Sequence, residues 1–100
     1  MIRSLSLVAA LLWAAPAIAD PDGKTLFTVA AVPPCGICHT LADAGSAGQI
    51  GPNLDDLKPS VEQVRAAISQ GVGIMPAFTD SLSAAQIQTL AEYVNGAAGG

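Results

Sequence analysis

Two stretches in the second half of the chain place apolar residues at the three- and four-residue spacing of a helix that is buried on one side. The first follows a capping box, in which Ser60 and Gln63 satisfy each other's free backbone groups at a helix start. Gly71 is typical of a helix end, since glycine adopts the left-handed conformation there at little cost. We therefore predict a scaffold helix between these points. Its buried face consists of Val61, Val64 and Ile68.

The last helix of the chain is predicted by a second capping box, formed by Ser83 and Gln86. Leu82 and Ile87 stand at the positions of a hydrophobic staple, which fixes the direction in which the chain enters a helix. Gly96 is expected to terminate this helix. The predicted buried face consists of Ile87, Leu90, Ala91 and Val94.

The remaining segments carry weaker patterns. Asp22 is a helix-capping residue, and it predicts a first helix that runs to about Ala31. Pro33-Pro34 forbids continuation of that helix and holds the chain extended. Residues 40–57 are rich in Gly, Asp and Ser without a sustained period, so they are predicted to be mostly loop. Residues 97–100 are predicted to be a disordered tail.

The hydrophobic pattern at the amino terminus is of a different kind. Arg3 precedes an almost wholly apolar stretch from Leu5 to Ala15, and Ala17-Ile18-Ala19 has the small-x-small pattern of a cleavage site. The stretch is too short to span a bilayer, so a retained membrane anchor is the less favoured interpretation. We predict a signal peptide over residues 1–19, cleaved after this site. Residues 20–100 would then form a single exported domain, soluble in the bacterial periplasm.

Cleavage changes the composition of the chain. The full sequence has four basic and eight acidic residues, and loss of Arg3 leaves three basic residues, a net charge of −5. Three scattered cations cannot form a basic patch, so a nucleic-acid partner is disfavoured. The mature domain retains one histidine, His39, and one methionine, Met75. A domain this short supports only a marginal core and usually needs a disulfide, a metal or a cofactor to hold it together.

The motif Cys35-Gly36-Ile37-Cys38-His39 indicates covalent attachment of a c-type haem. The two thiols would add to the vinyl groups of one haem edge, and His39 would follow them as the proximal iron ligand. A structural zinc site needs four ligands, and the mature sequence has no third cysteine or second histidine. A thioredoxin-type pair would need a flanking βαβ pattern, which the sequence lacks. A plain disulfide stays possible, but it leaves the adjoining histidine unexplained.

Four motifs occur in the order found in small bacterial class I cytochromes c, and through them the chain resembles that family. They are Cys35–His39, Gly51-Pro52-Asn53-Leu54, the loop 73–78 and the helix start 82–87. The resemblance implies an all-α cytochrome c fold, in which three to four short helices wrap around one covalent haem. It also implies that this haem c, with its iron, is bound through Cys35 and Cys38.

The resemblance further implies roles for individual residues. The Pro52 carbonyl would accept a hydrogen bond from the Nδ1–H of His39, which orients the ring and strengthens it as a ligand. Gly23 would let the first helix cross the last one closely at Tyr93, although a frayed helix start explains this glycine equally well. Met75 would be the sixth ligand of the iron.

A His39/Met75 ligand pair leaves the iron no open position, so the resemblance implies a one-electron carrier and not an enzyme. The carrier would be a monomer that connects a periplasmic dehydrogenase with a terminal oxidase or reductase. The alternative is a dedicated electron-outlet subunit of one heteromeric periplasmic dehydrogenase, which the low lysine content favours weakly. A haem sensor would need a vacant or labile sixth coordination site. If Met75 is not the sixth ligand, Lys24 and Lys58 are the remaining candidates. Arg65 and Lys58 are candidate partners of the haem propionates.

Overall fold

The computed structural model describes Ser4 and residues 20–100. The predicted signal peptide and its cleavage site therefore lie outside the described residues, Ser4 excepted. Within the described part, no helix is long and apolar enough to cross a membrane. The elements in chain order are α1 (Gly23–Thr25), a π-helical segment (Leu26–Ala30), a 3-10 turn (Cys35–Ile37), β1 (Thr40–Leu41), a second 3-10 turn (Ala42–Ala44), β2 (Ser46–Ala47), α2 (Leu54–Leu57), α3 (Val61–Gln70) and α4 (Ala84–Ala97).

The first helix begins at the predicted cap. The Asp22 carboxylate accepts a hydrogen bond of 2.8 Å from the backbone N–H of Thr25. Beyond α1 the helix widens into its π-helical segment, in which the N–H of Ala31 reaches back five residues to the carbonyl of Leu26. Leu26 and Phe27 are fully buried side by side at the start of this segment.

Gly23 and Tyr93 bring the first and last helices into close contact. Gly23 is buried, and a Cβ at this position would collide with the Cβ of Tyr93, so no larger residue fits. The Tyr93 ring lies against that of Phe27, with centroids 6.2 Å apart. Its hydroxyl donates to the Asp43 carboxylate over 2.6 Å, and burial together with this hydrogen bond raises the pKa of Tyr93. The close crossing implied by the family resemblance is therefore present.

The segment predicted as loop contains more structure than its composition indicates. β1 and β2 form an antiparallel ladder, in which Thr40 pairs with Ala47 and Leu41 with Ser46. Asn53 then caps α2 by accepting hydrogen bonds from two backbone N–H groups. Elements of two to four residues are too short to produce a hydrophobic period, which explains why the sequence pattern did not reveal them.

Helices α3 and α4 form the scaffold, as predicted. In both capping boxes the serine hydroxyl accepts from the third helical N–H, and the glutamine side chain accepts from the serine N–H. Both predicted buried faces turn inward, although Val61 is only half-buried. The buried apolar core consists of Leu26, Phe27, Ala31, Leu41, Leu54, Val64, Ile68, Phe78, Leu82, Ile87, Leu90, Ala91 and Val94.

The carboxy-terminal end differs from the prediction. Gly96 does not terminate α4, which continues to Ala97. The N–H of Gly99 donates to the Asp55 carboxylate over 2.9 Å. This contact holds the last residues in place, so the prediction of a disordered tail is wrong. The other oxygen of Asp55 accepts from the N–H of Ala42, also over 2.9 Å. These two N–H groups hold the pKa of Asp55 below its ordinary value and tie three separate segments together.

We predict that Asp55 makes stability depend on pH. Because its pKa is lower in the folded state, its contribution is present above the ordinary carboxyl pKa of 3.8 and is lost as the pH falls through the depressed value. Urea unfolding of the haem-loaded protein and of Asp55→Asn, measured across this range, should show a difference at neutral pH that disappears in acid. Asp56→Asn is the matched control and should show a smaller difference. A difference for Asp55→Asn that is independent of pH would contradict this role.

Candidate functional site

The Cys35–His39 motif folds as one tight turn on the wall of a cleft. The N–H groups of Cys38 and His39 both donate to the carbonyl of Cys35, over 3.2 and 3.0 Å. No disulfide joins the two cysteines, and both line the cleft together with the imidazole. Burial raises the pKa of Cys35 to about 11, so its thiol is uncharged at neutral pH. One turn therefore presents two thiols and an imidazole to the same space.

The His39 ring is fixed in one tautomer. Its Nδ1 lies 2.7 Å from the carbonyl oxygen of Pro52, as the family resemblance implies. A carbonyl oxygen can only accept, so Nδ1 carries a hydrogen, and in the neutral imidazole the lone pair is on Nε2. This is the state in which an imidazole binds a metal ion, and such a hydrogen bond raises its basicity as a ligand.

Gly51 holds the chain close to the same ring. Its N–H donates to the carbonyl of Cys38 over 2.7 Å. A Cβ at this position would lie 2.6 Å from Cε1 of His39, which is closer than any real contact of a side chain. The absence of a side chain at Gly51 therefore allows the backbone to pass beside the imidazole and restrict its movement.

Met75 lies in a short loop that the backbone holds in place. Gly71 leaves α3 with a φ of +74°, in the region that favours glycine. Val72 and Met75 then exchange two backbone hydrogen bonds of 2.9 and 3.1 Å. The N–H of Phe78 donates to the carbonyl of Ile68 over 2.8 Å and returns the loop to the core. The Met75 side chain is half-buried and lines the cleft.

The cleft has a volume of about 460 Å³, within the range of small-molecule and cofactor sites. It brings together Cys35, Cys38, His39, Pro52 and Met75, all the residues predicted to form the site. In the described part of the chain, neither Lys24 nor Lys58 lines it. Its walls are almost wholly apolar and include Phe27, Leu54, Val64, Ile68, Phe78 and Leu90.

The sequence of residues 20–94 matches the family described as cytochrome c oxidase, cbb3-type, subunit III. The chain belongs to this family of c-type cytochromes. The cytochrome is also similar to the c-type cytochrome SorU from Sinorhizobium meliloti in its crystal structure. The two share 45% identity with a TM-score of 0.74, over 77% of this chain and 87% of that one. No curated protein sequence matches the chain significantly. The predicted class I cytochrome c and its all-α fold are confirmed.

The cytochrome carries haem c, bound covalently through Cys35 and Cys38. The residues of the cleft fit this group in chemistry as well as in shape. The two thiols stand at one wall to form thioether bonds, and the apolar walls match a porphyrin. His39 offers an imidazole nitrogen and Met75 a thioether sulfur, and both are atom types that can bind haem iron.

Neither basic residue suggested as a propionate partner lines the cleft. Arg65 donates to the Gln88 side chain over 3.1 Å and pairs with Glu62 on its own helix. Lys58 borders a separate surface depression near the carboxy terminus. In addition to His39, the cleft is lined by the polar side chain of Gln63. The sequence pattern assigns this glutamine only to a helix cap.

We predict that Gly51→Ala disturbs His39, because the added methyl group must displace the ring or the backbone. The haem-loaded variant should lose about 1–3 kcal/mol of unfolding free energy, the usual cost of overpacking. Urea unfolding measures the loss, and NMR of the His39 Nδ1–H reports its bond to Pro52. Gly96→Ala is the control, since Gly96 has open space around it within α4 and should gain up to about 1 kcal/mol. Equal stability of Gly51→Ala and the parent would refute this packing role.

Proposed function

We propose that this cytochrome is a periplasmic one-electron carrier whose haem iron is bound by His39 and Met75. One observation carries the proposal: a single apolar cleft gathers the two attachment thiols, an imidazole in the metal-binding tautomer and the one thioether of the mature sequence. The bound haem supplies reversible exchange of one electron between Fe(II) and Fe(III).

The chain's own residues set the properties of this exchange. His39 is oriented by Pro52 and restricted by Gly51, so its nitrogen keeps one position when the charge of the iron changes. The thioether of Met75 favours Fe(II) and raises the redox potential. With both side chains bound, no coordination position is left for a substrate. We therefore infer a carrier and not an enzyme.

The periplasmic location rests on the sequence of the first nineteen residues. Their charge and hydropathy pattern supports export, and the small residues 17–19 support cleavage after Ala19.

A dedicated subunit of a periplasmic dehydrogenase is the second candidate. It is favoured by exposed apolar side chains around the mouth of the cleft, in a domain with only three basic residues. Ile74 is 86% exposed, and the others are Ile50, Leu57 and Val72. Such a rim suits a partner that stays bound through apolar contact better than one that binds briefly through charges.

A native periplasmic extract tests location and assembly together. For a free carrier, we expect an intact mass corresponding to haem plus a chain that begins at Asp20, and elution from size exclusion at the mass of one such chain. Co-elution with a larger dehydrogenase would replace the carrier with the subunit hypothesis. A mass that includes residues 1–19 would contradict cleavage.

We predict that Met75→Ala opens the iron to added ligands. The reduced variant should bind carbon monoxide where the parent does not. Its midpoint potential should fall by on the order of 0.1 V or more, within the range of about 0.8 V over which axial ligands set haem potentials. Met75→His should keep six-coordination and still lower the potential, which separates ligand identity from site opening.

Ile74→Ala is the matched control for Met75→Ala, since Ile74 is the neighbouring residue of the same loop and is almost fully exposed. It should retain the parent spectrum and potential. If Met75→Ala also retained them, Met75 would be a packing residue and the sixth ligand would have to be sought among the lysines. Carbon monoxide binding by the parent itself at neutral pH would favour a haem sensor.

A further inference from the structure

The cleft offers very few polar groups to a ligand with charged substituents. In the described part of the chain, no Lys, Arg, Asp or Glu lines it, and His39 and Gln63 are its polar side chains. His39 is committed to Pro52 through Nδ1 and, by the proposed function, to the iron through Nε2. A haem carries two propionate carboxylates, and a carboxylate at an apolar wall needs a hydrogen-bond donor. Gln63 is the remaining side chain of the wall that can donate.

The capping box fixes the direction in which Gln63 presents its amide. The side-chain Oε1 of Gln63 accepts from the backbone N–H of Ser60 over 2.8 Å. The backbone N–H of Gln63 donates to the Ser60 hydroxyl over 3.1 Å. The oxygen is therefore held at the start of α3. The Nε2 group, with two hydrogens, has no partner among the residues that the structure describes. One side chain thus caps the helix with its oxygen and keeps its nitrogen available at the cleft.

The surrounding charged residues do not compete for this role. Arg65 lies on the same helix, but it is engaged by Glu62 and Gln88. Lys58 belongs to a different surface depression. Gln86 occupies the same position as Gln63 in the second capping box, yet it does not line the cleft. The position of Gln63 at the cleft is therefore a property of this residue and is not general to the capping motif.

We propose that the side-chain amide of Gln63 binds a haem propionate, with Nε2–H donating to the carboxylate. The proposal rests on the proposed function, since it requires haem c to lie in this cleft between His39 and Met75. A neutral amide stabilises the carboxylate without cancelling its charge, unlike the guanidinium of an arginine. The propionate then keeps a negative charge near the iron, and its protonation remains coupled to the redox potential.

NMR of the reduced, haem-loaded cytochrome tests the contact directly. We expect nuclear Overhauser effects between the Nε2 protons of Gln63 and the propionate methylene protons. Overhauser effects from these amide protons to the terminal methyl group of Met75, without any to the propionates, would show that the amide contacts Met75 instead. That result would overturn the proposal. The absence of both would overturn it as well.

The variants Gln63→Glu and Gln63→Leu test the energetic consequence. Glutamate keeps the acceptor that caps α3 but removes the donor and adds a like charge, whereas leucine removes both polar groups. Gln86→Glu makes the same change in the other capping box and is the matched control. The midpoint potential of each variant is measured as a function of pH. The pH at which the slope of this plot changes reports the pKa of the propionate.

The propionate pKa should rise by about one unit in Gln63→Glu, a tenfold change in proton affinity, and by less in Gln63→Leu. Gln86→Glu should leave it unchanged. An unchanged propionate pKa in both Gln63 variants would overturn the proposal, as would an equal rise in Gln86→Glu. If the proposal about Gln63 fails in this way but the variants keep the spectrum of His/Met ligation, the proposed function is unaffected. Failure of the proposed function would appear instead as the lack of that spectrum in the parent.

Discussion

The walls of the cleft are apolar surface that this chain cannot shield from water by itself. The described domain has only three aromatic side chains, Phe27, Phe78 and Tyr93, and a domain of this length supports only a marginal core. Haem c supplies the missing apolar partner, and its bonds to Cys35 and Cys38 keep that partner in place. Short helices suffice here, because α3 and α4 pack on each other and both contribute side chains to the wall of the haem cleft.

The features of the fold that could be predicted are those that short stretches of sequence determine. Asp22, Ser60 and Ser83 cap helices through contacts with residues three positions away, so the sequence pattern was sufficient. The ladder of β1 and β2 and the placement of Gly99 depend on longer-range contacts and on elements too short for a period. The glycine pattern predicts an end of α4 at Gly96, but the left-handed helix stop needs a positive φ, which Gly96 does not adopt.

The site divides in a similar way. The Cys35–His39 motif is informative because attachment of haem requires that spacing, and the hydrogen bond from His39 to Pro52 followed from the family resemblance. Gln63 could not be identified from sequence, since its capping role already accounts for a glutamine at that position. Charge alone does not place a side chain at the cleft: Arg65 contacts Gln88, and Lys58 borders a separate depression.

The contact between Gly23 and Tyr93 joins the first and last helices of the described range 20–100, and it has a consequence for the order of assembly. Any process that delivers the chain amino end first, whether synthesis or translocation, presents Cys35–His39 before α4 has emerged. The cleft then still lacks the wall that Leu90 and Val94 provide. Haem can approach the thiols from that open side. Docking of α4 against Gly23 completes that wall, so the thiols are reachable from this side until α4 has emerged.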